Sequence, residues 1–425
     1  MRRGIAATAL VAALALTTAA CGGDSGGKGD SAKKGGKLSG TVTFWDTSNE
    51  AEKGTYQALA EGFEKLHPDV DVKYVNVPFG DANSKFKNAA GGNSGAPDVM
   101  RTEVAWVADF ASLGYLAPLD GTAAIDKAED YLPQAAASTK FQGKTYAVPQ
   151  VIDTMALFYN KKMLKDAGVA KPPANIAELK AASAKIKQKT GKTGFYLRGD
   201  DAYWFLPFLY GEGGDMVNAK DKQITVDDPA GAKAFATIKD LVDSKAAITD
   251  AADGWNNMQN AFKNGEVAMM LNGPWAIEDS RSGKQFTDKS NLGIAPVPAG
   301  SVKQASPQGG WNLSVYAGSK NLDASYEFAK YMSSAKVQQQ TTEKLSLLPT
   351  RTSVYAVPSV AGNEMVKFFK PAVDKAVERP WIPQGNALFE PLKVEMANVL
   401  TGKASPEQAA KSSGEAYSKL LKDYK

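Results

Sequence analysis

The sequence predicts an α/β protein large enough for two lobes, on three observations. Strand-like runs of β-branched and aromatic residues alternate with stretches that carry apolar residues at helical spacing. The 425 residues amount, at ~150 per domain, to about three domains' worth or two large lobes. Hydrophobic residues at 43% and charged residues at 23% suit a globular chain with a sizeable core, and neither a disordered chain nor a multi-span membrane protein. Strand–helix alternation implies mostly parallel sheets, and no fixed-period repeat suggests a solenoid.

The elements follow in order. TVTFWD (41–46) reads as a strand, and Tyr56, Leu59, Phe63 and Leu66 mark one face of the helix after it. VDVKYVNVP is strand-like, DANSKFKNAA is compatible with helix, and PDVM is a short strand opened by proline. VAWVADFASLGYL reads as helix and turn, and MALFYN is one of the clearest buried strands. After Pro172-Pro173, a helix places Ile176, Leu179, Ser183 and Ile186 on one face. AKAFATIKDLVDSK gives a further amphipathic helix. EVAMMLNGPWAI is a strand that breaks at Asn272-Gly273, with Pro274 suited to the first position of a helix. That arrangement holds Trp275 at the mouth of a strand-to-helix turn, where open α/β sheets bind ligands. Packing of the indole between helix and sheet is the plainer alternative.

The first forty residues stand apart from this pattern. Residues 1–20 carry Arg2 and Arg3, then an uncharged Ala/Leu-rich run that ends in small residues, the layout of a signal peptide. TTAAC resembles a bacterial lipoprotein signal, which would lipidate Cys21; Thr18 departs from the leucine commonest there. Residues 21–40 then form a Gly-rich tether, spanning roughly 25 Å as a flexible chain. Signal, anchor and tether together predict a body held outside the cytoplasm.

Composition excludes several functions. With one cysteine and one histidine, zinc chemistry and Ser–His triads lack their ligands and base, and no metal or other cofactor is expected. His67, in LHPD at a helix end, reads as a capping or solvent-facing residue. The excess of 50 basic over 46 acidic residues is too small and too scattered for a nucleic-acid footprint. Carboxylate-only chemistry, as in glycosidases, stays open. The remaining aromatics sit at loop edges beside polar groups: Glu103 with Trp106, Asp200 or Asp201 with Tyr203, Arg379 with Trp381, and Trp311 after PQGG. Sugars stack their C–H faces on such rings and offer hydroxyls to such polar groups.

ASLGYLAPLD, GKTYAVP, IDTMALFYNKKMLKDAGV, AFKNGEVAMMLNGPWA, GGWNLSV and IPQGNALFEPLKVEMANVLTGKASPEQAA, in this order, resemble the extracellular solute-binding proteins of carbohydrate ABC importers. The maltose/maltodextrin and trehalose/maltose binding proteins are the branches most similar. The resemblance implies a periplasmic-binding-protein-like fold, with two lobes, a hinge of crossing segments and a sugar held in the cleft. It implies lobe 1 at 41–151 with 299–348, lobe 2 at 154–296 with 352–425, and crossings at 150–154, 295–300 and 347–352. Pro149, Pro296, Pro298 and Pro349 lie beside or within these crossings and would keep them out of continuous sheet.

Carried onto this chain, the resemblance assigns sugar contacts to Asn49, Glu50, Glu103, Trp106, Asp153, Tyr203, Trp275, the Gly310 amide, Trp311 and Arg379. Phe389 stands where the maltose branch has tryptophan, and Val151 where the trehalose/maltose branch has an aromatic. Plainer roles remain open: Asn49 and Glu50 as helix caps, Glu103 and Asp153 as solvated loop acids, Phe389 as core, Trp45 as core and Trp255 as helix packing. The implied function is capture of a maltose-, maltodextrin- or trehalose-type sugar by a monomer. Delivery to membrane permease subunits would follow, with no reaction catalysed. The competing expectation is an extracellular glycoside hydrolase with paired carboxylates.

Overall fold

A computed structural model describes residues 37–425; the signal segment, Cys21 and nearly all of the tether lie outside them. Two mixed sheets organise the chain. The first begins with β1 (Gly40–Asp46), β2 (Val70–Asn76) and β3 (Val99–Glu103). To these it adds β4 (Ala147–Thr154), and the second sheet starts at once with β5 (Ala156–Asn160), β6 (Thr193–Tyr196), β7 (Ala247–Ile248), β8 (Val267–Asn272) and β9 (Leu292–Ala295). The chain then returns to the first sheet as β10 (Gln308–Val315) and β11 (Leu348–Pro349). The strand orders are β11-β4-β10-β3-β1-β2 and β7-β6-β8-β5-β9.

The expectation of mostly parallel sheets needs correction. β1 pairs in parallel with β2 and β3, and β6 with β7 and β8, but β10, β4, β11, β5 and β9 all pair antiparallel. The antiparallel strands are those that border the passages between sheets, so their direction is set by where the chain comes from.

Local sequence explains the elements that flank the sheets. Helix α1 (Lys53–Leu66) buries Tyr56, Leu59 and Phe63 against β1, whose Val42 and Phe44 are fully buried. Leu66, predicted on the same face, is exposed because it lies in the last turn. His67 ends that helix with its ring against Phe63. Helix α2 (Phe79–Gly91) follows β2, and the short α3 (Trp106–Ser112) follows β3. Helix α4 (Ile176–Thr190) starts where the Asn175 side chain accepts from the Glu178 amide, and stops at Gly191 in the left-handed region. β8 is buried along its whole length, as a central strand covered on both faces is. Among the described residues no helix is long and apolar enough to cross a membrane.

The passages between sheets are tied to one another. Only Met155 separates β4 from β5; its amide donates to Ser306 Oγ at 3.1 Å, and Thr154 Oγ1 donates to the Pro307 carbonyl at 2.8 Å. Val377 flanks the same stretch, exchanging backbone bonds with Ser306 and Gln308. The second passage lies later than the expected 295–300: Ala299 bridges Asn175, Lys303 bonds to Gly211, and the chain joins the first sheet only at Gln308. Pro149 is inside β4 and not in a free hinge. A β-bulge opposite Trp311 and Asn312 accommodates it and leaves Gln150 as the extra residue.

Candidate functional site

β3 ends at Glu103, directly opposite Trp311 of β10, and β4 carries Asp153 opposite Gly309. A Cβ on Gly309 would lie 2.1 Å from Asp153 Oδ1 and 2.6 Å from the Tyr203 hydroxyl, so only glycine lets these groups converge. Gly310, at φ +142°, turns its carbonyl to the Val104 amide. Arg379 completes the cluster: its Nε donates to the Gln308 carbonyl at 2.9 Å and its Nη2 pairs with Glu103, while the guanidinium lies 5.3 Å from the Tyr203 ring and 5.8 Å from that of Phe389. Glu103 also accepts from the Ala105 amide. Asp153 is buried, and Glu103 is largely covered and paired with Arg379, so neither is the solvated loop acid its sequence context allowed.

From the second sheet, β8 ends at Asn272 and Pro274 opens a 3-10 turn that carries Trp275. The indole folds back over Gly273, where a Cβ would come within 2.1 Å of it. Tyr203 is positioned by Asp201, which accepts from its amide, and its ring centroid is 6.4 Å from that of Trp275. The neighbouring Trp204 is core: its Nε1 donates to the Leu271 carbonyl, and Arg198 covers its ring. Asn49 links the two sides. Its Oδ1 accepts from the Ala51 and Glu52 amides, a capping role, and its Nδ2 donates to the Trp275 carbonyl at 3.1 Å.

Glu50, Trp106 and Phe389 differ from these residues in pairing or exposure. Glu50 is solvent-exposed and paired with Lys53. Trp106 opens α3 but is only 3% exposed, and its Nε1 donates to Asn386 Oδ1 at 3.1 Å. It offers no open face. Phe389 begins helix α5 (Phe389–Leu400) and is partly buried against the core.

Three neighbours were not anticipated from sequence. Arg101, fully buried, lies 4.3 Å from the Trp311 ring and 4.4 Å from the Tyr56 ring, and its Nε donates to Gln150 Oε1, the bulged residue. Glu52 sits 3.8 Å from Arg101, and burial, outweighing that cation, pushes its carboxyl up to about 7. A lone arginine inside PDVMRTE was the available signal for Arg101. Asn386 carried none.

Burial pushes the Asp153 carboxyl up to about 8, with Glu103 adding to the shift and Arg379 and Arg101 opposing it. The fold therefore prefers this group neutral. Its favourable contribution is present below the ordinary carboxylate range and is lost as pH rises through about 8. Asp153→Asn, measured by urea unfolding without ligand, is expected to match the wild type near pH 4.5 and to exceed it by on the order of 1–3 kcal/mol at pH 8. A wild-type advantage that grows with pH would contradict this environment.

Residues 47–339 match the family of bacterial extracellular solute-binding proteins. The chain belongs to that family. Relatives of this solute-binding protein include the maltotriose-binding protein of Pyrococcus abyssi, 28% identical over 83% of this chain and 75% of that one. The diacetylchitobiose-binding protein DasA of Streptomyces coelicolor is 27% identical over 99% of both chains. Among solved structures, the GacH receptor of Streptomyces glaucescens GLA.O, determined unliganded and with acarbose and an acarbose homologue, is 78% identical. It superposes with a TM-score of 0.90, covering 91% of this chain and 100% of that one. Maltose-bound MalE3 of T. maritima, at 23% identity, shares the fold, with a TM-score of 0.82 over 90% of this chain and 100% of that one. The solute-binding protein thus has the two-lobed α/β architecture of its relatives and is a binding protein, not an enzyme. The hydrolase alternative is set aside.

Proposed function

We propose that this solute-binding protein captures an α-linked oligosaccharide of maltodextrin or acarbose type between its lobes, and as a monomer delivers it to an ABC permease. The observation that carries the reading is the convergence of Glu103, Asp153 and Arg379 with the rings of Tyr203, Trp275 and Trp311, drawn from both sheets. A carboxylate at Glu103, a neutral carboxyl at Asp153 and a guanidinium suit a hydroxyl rim, and flat rings suit pyranose faces. Lobe 1 would comprise 41–151 with β10 and β11, and lobe 2 the second sheet with most of the chain after 352, the tied passages at 154–156 and 306–308 forming the hinge. Closure needs ligand contacts on both sides, since a ligand shifts an equilibrium only through differential affinity.

Similarity to the maltotriose-binding relative and to the acarbose-bound receptor supports the ligand class. A thermal-shift panel of maltose, maltotriose, trehalose, acarbose and diacetylchitobiose tests it. The correct ligand at 100 Kd should add ~2.7 kcal/mol. Stabilisation by diacetylchitobiose alone would overturn the assignment. We also propose that Cys21, outside the described residues, carries the lipid anchor, which fits the family's extracellular location. Membrane retention of a processed Cys21→Ala protein would refute that.

A further inference from the structure

Trp106 was the aromatic expected to line this wall of the cleft, and the structure closes it off. Phe79 stacks on it with ring centroids 5.4 Å apart and 14° between the planes. Trp311 meets the Trp106 ring edge-on at 6.3 Å, and Phe110 packs against it at 6.1 Å. The Trp106 Nε1 is committed to Asn386. Phe79 is the reverse case. It is the first residue of α2, three positions beyond the end of β2 and directly after Pro78, on the same sheet edge as Glu103 and Asp46. Its ring is backed by Trp106 and by Trp311, 5.6 Å away, yet the residue stays 49% exposed. A phenylalanine held rigid by two tryptophans while keeping half its surface in water is a costly arrangement for the free protein, because that apolar area has no cover. It is also what a stacking surface requires.

We propose that Phe79, not Trp106, is the ring a ligand meets at this wall, and that it forms an outer pyranose-stacking position that reads ligand length. The proposal rests on the sugar-binding reading. Trp106 and Asn386 act beneath it as positioning residues, fixing the plane on which Phe79 lies. Because Phe79 keeps about half its surface in water while Glu103 and Arg379 are largely buried, a short sugar can occupy the buried centre of the cleft without covering the ring, and only a longer one extends onto it.

Calorimetric titration of the purified wild type, Phe79→Ala and Phe79→Tyr with maltose, maltotriose, maltotetraose and acarbose tests this. The tetrasaccharide-sized ligands should bind Phe79→Ala ~5- to 10-fold more weakly, maltose should change less than about 2-fold, and Phe79→Tyr should restore wild-type affinity. The exposed position of Phe79 should leave the melting temperature of the unliganded variants near that of the wild type. Equal affinity of Phe79→Ala and wild type for every sugar, or a loss equal at every length, overturns the proposal while sugar binding stands. Tighter binding by Phe79→Ala overturns it too, since Phe79 would then be a cap that the ligand must displace from Trp106. A wild type that binds none of these sugars would sink the sugar reading, and this proposal with it.

Discussion

Arg379→Met is expected to destabilise the unliganded protein by ~3–5 kcal/mol at pH 7, because it removes one partner of a buried ion pair and leaves the other. The Arg379 side chain is 4% exposed and that of Glu103 14%, so water cannot replace the lost contact. Without Arg379, Glu103 keeps only the Ala105 amide, and Asp153 loses the foremost of the cations that oppose its neutralisation. The Gln308 carbonyl, which accepts from Arg379 Nε, also loses a donor beside the hinge. The double variant Arg379→Met/Glu103→Gln should recover much of the loss, since neither charge is then stranded. Urea unfolding of the three proteins measures this. A neutral single variant, or a double variant worse than the single one, would show that the pair does not hold this part of the cleft together.

Trp275→Ala is expected to weaken sugar binding by ~30-fold or more while leaving the fold intact. An indole can bury ~150–250 Å², and here part of the ring is already packed against Gly273, Tyr203 and Trp204. If about half of that area is left for the ligand to cover, its loss costs ~2–3 kcal/mol at ~25 cal/mol/Å². Calorimetry on the variant decides the matter, with Trp275→Phe as the partial replacement. Unchanged affinity would mean that the ring serves only to pack against Gly273, Tyr203 and Trp204.

The parts of the fold legible in sequence were those fixed locally. The NGPW turn, the helix after Pro172-Pro173 and the strand that leads into Asn272-Gly273 each follow from a few adjacent residues, and the structure has them where the pattern predicted. Strand direction was not local. β10 and β5 run antiparallel to their neighbours because the chain re-enters each sheet from the other, a topological fact with no signature in GGWNLSV or MALFYN. The same applies to the second passage, where Ala299 and Lys303 stay with second-sheet neighbours although prolines 296 and 298 suggested an earlier exit. In the site, the charged residues of sequence motifs did converge, but their partners came from far away. Trp106 and Asn386 are 280 residues apart, and Arg379 and Glu103 are 276 apart. Glu50 pairs locally: Lys53, three residues on, takes its charge at the surface. Trp106 is covered for a tertiary reason, since Phe79 reaches its face from the start of α2.

The most direct test of sugar capture in the cleft is calorimetric titration of the purified protein with maltotriose and with acarbose, followed by chromatography of the recovered sugar. Saturable binding at one site per chain, weakened by ~30-fold or more in Trp275→Ala, with every sugar recovered at its original length, is the expected result. No heat with any α-linked oligosaccharide, or binding indifferent to Trp275, Arg379 and Asp153 alike, would contradict it.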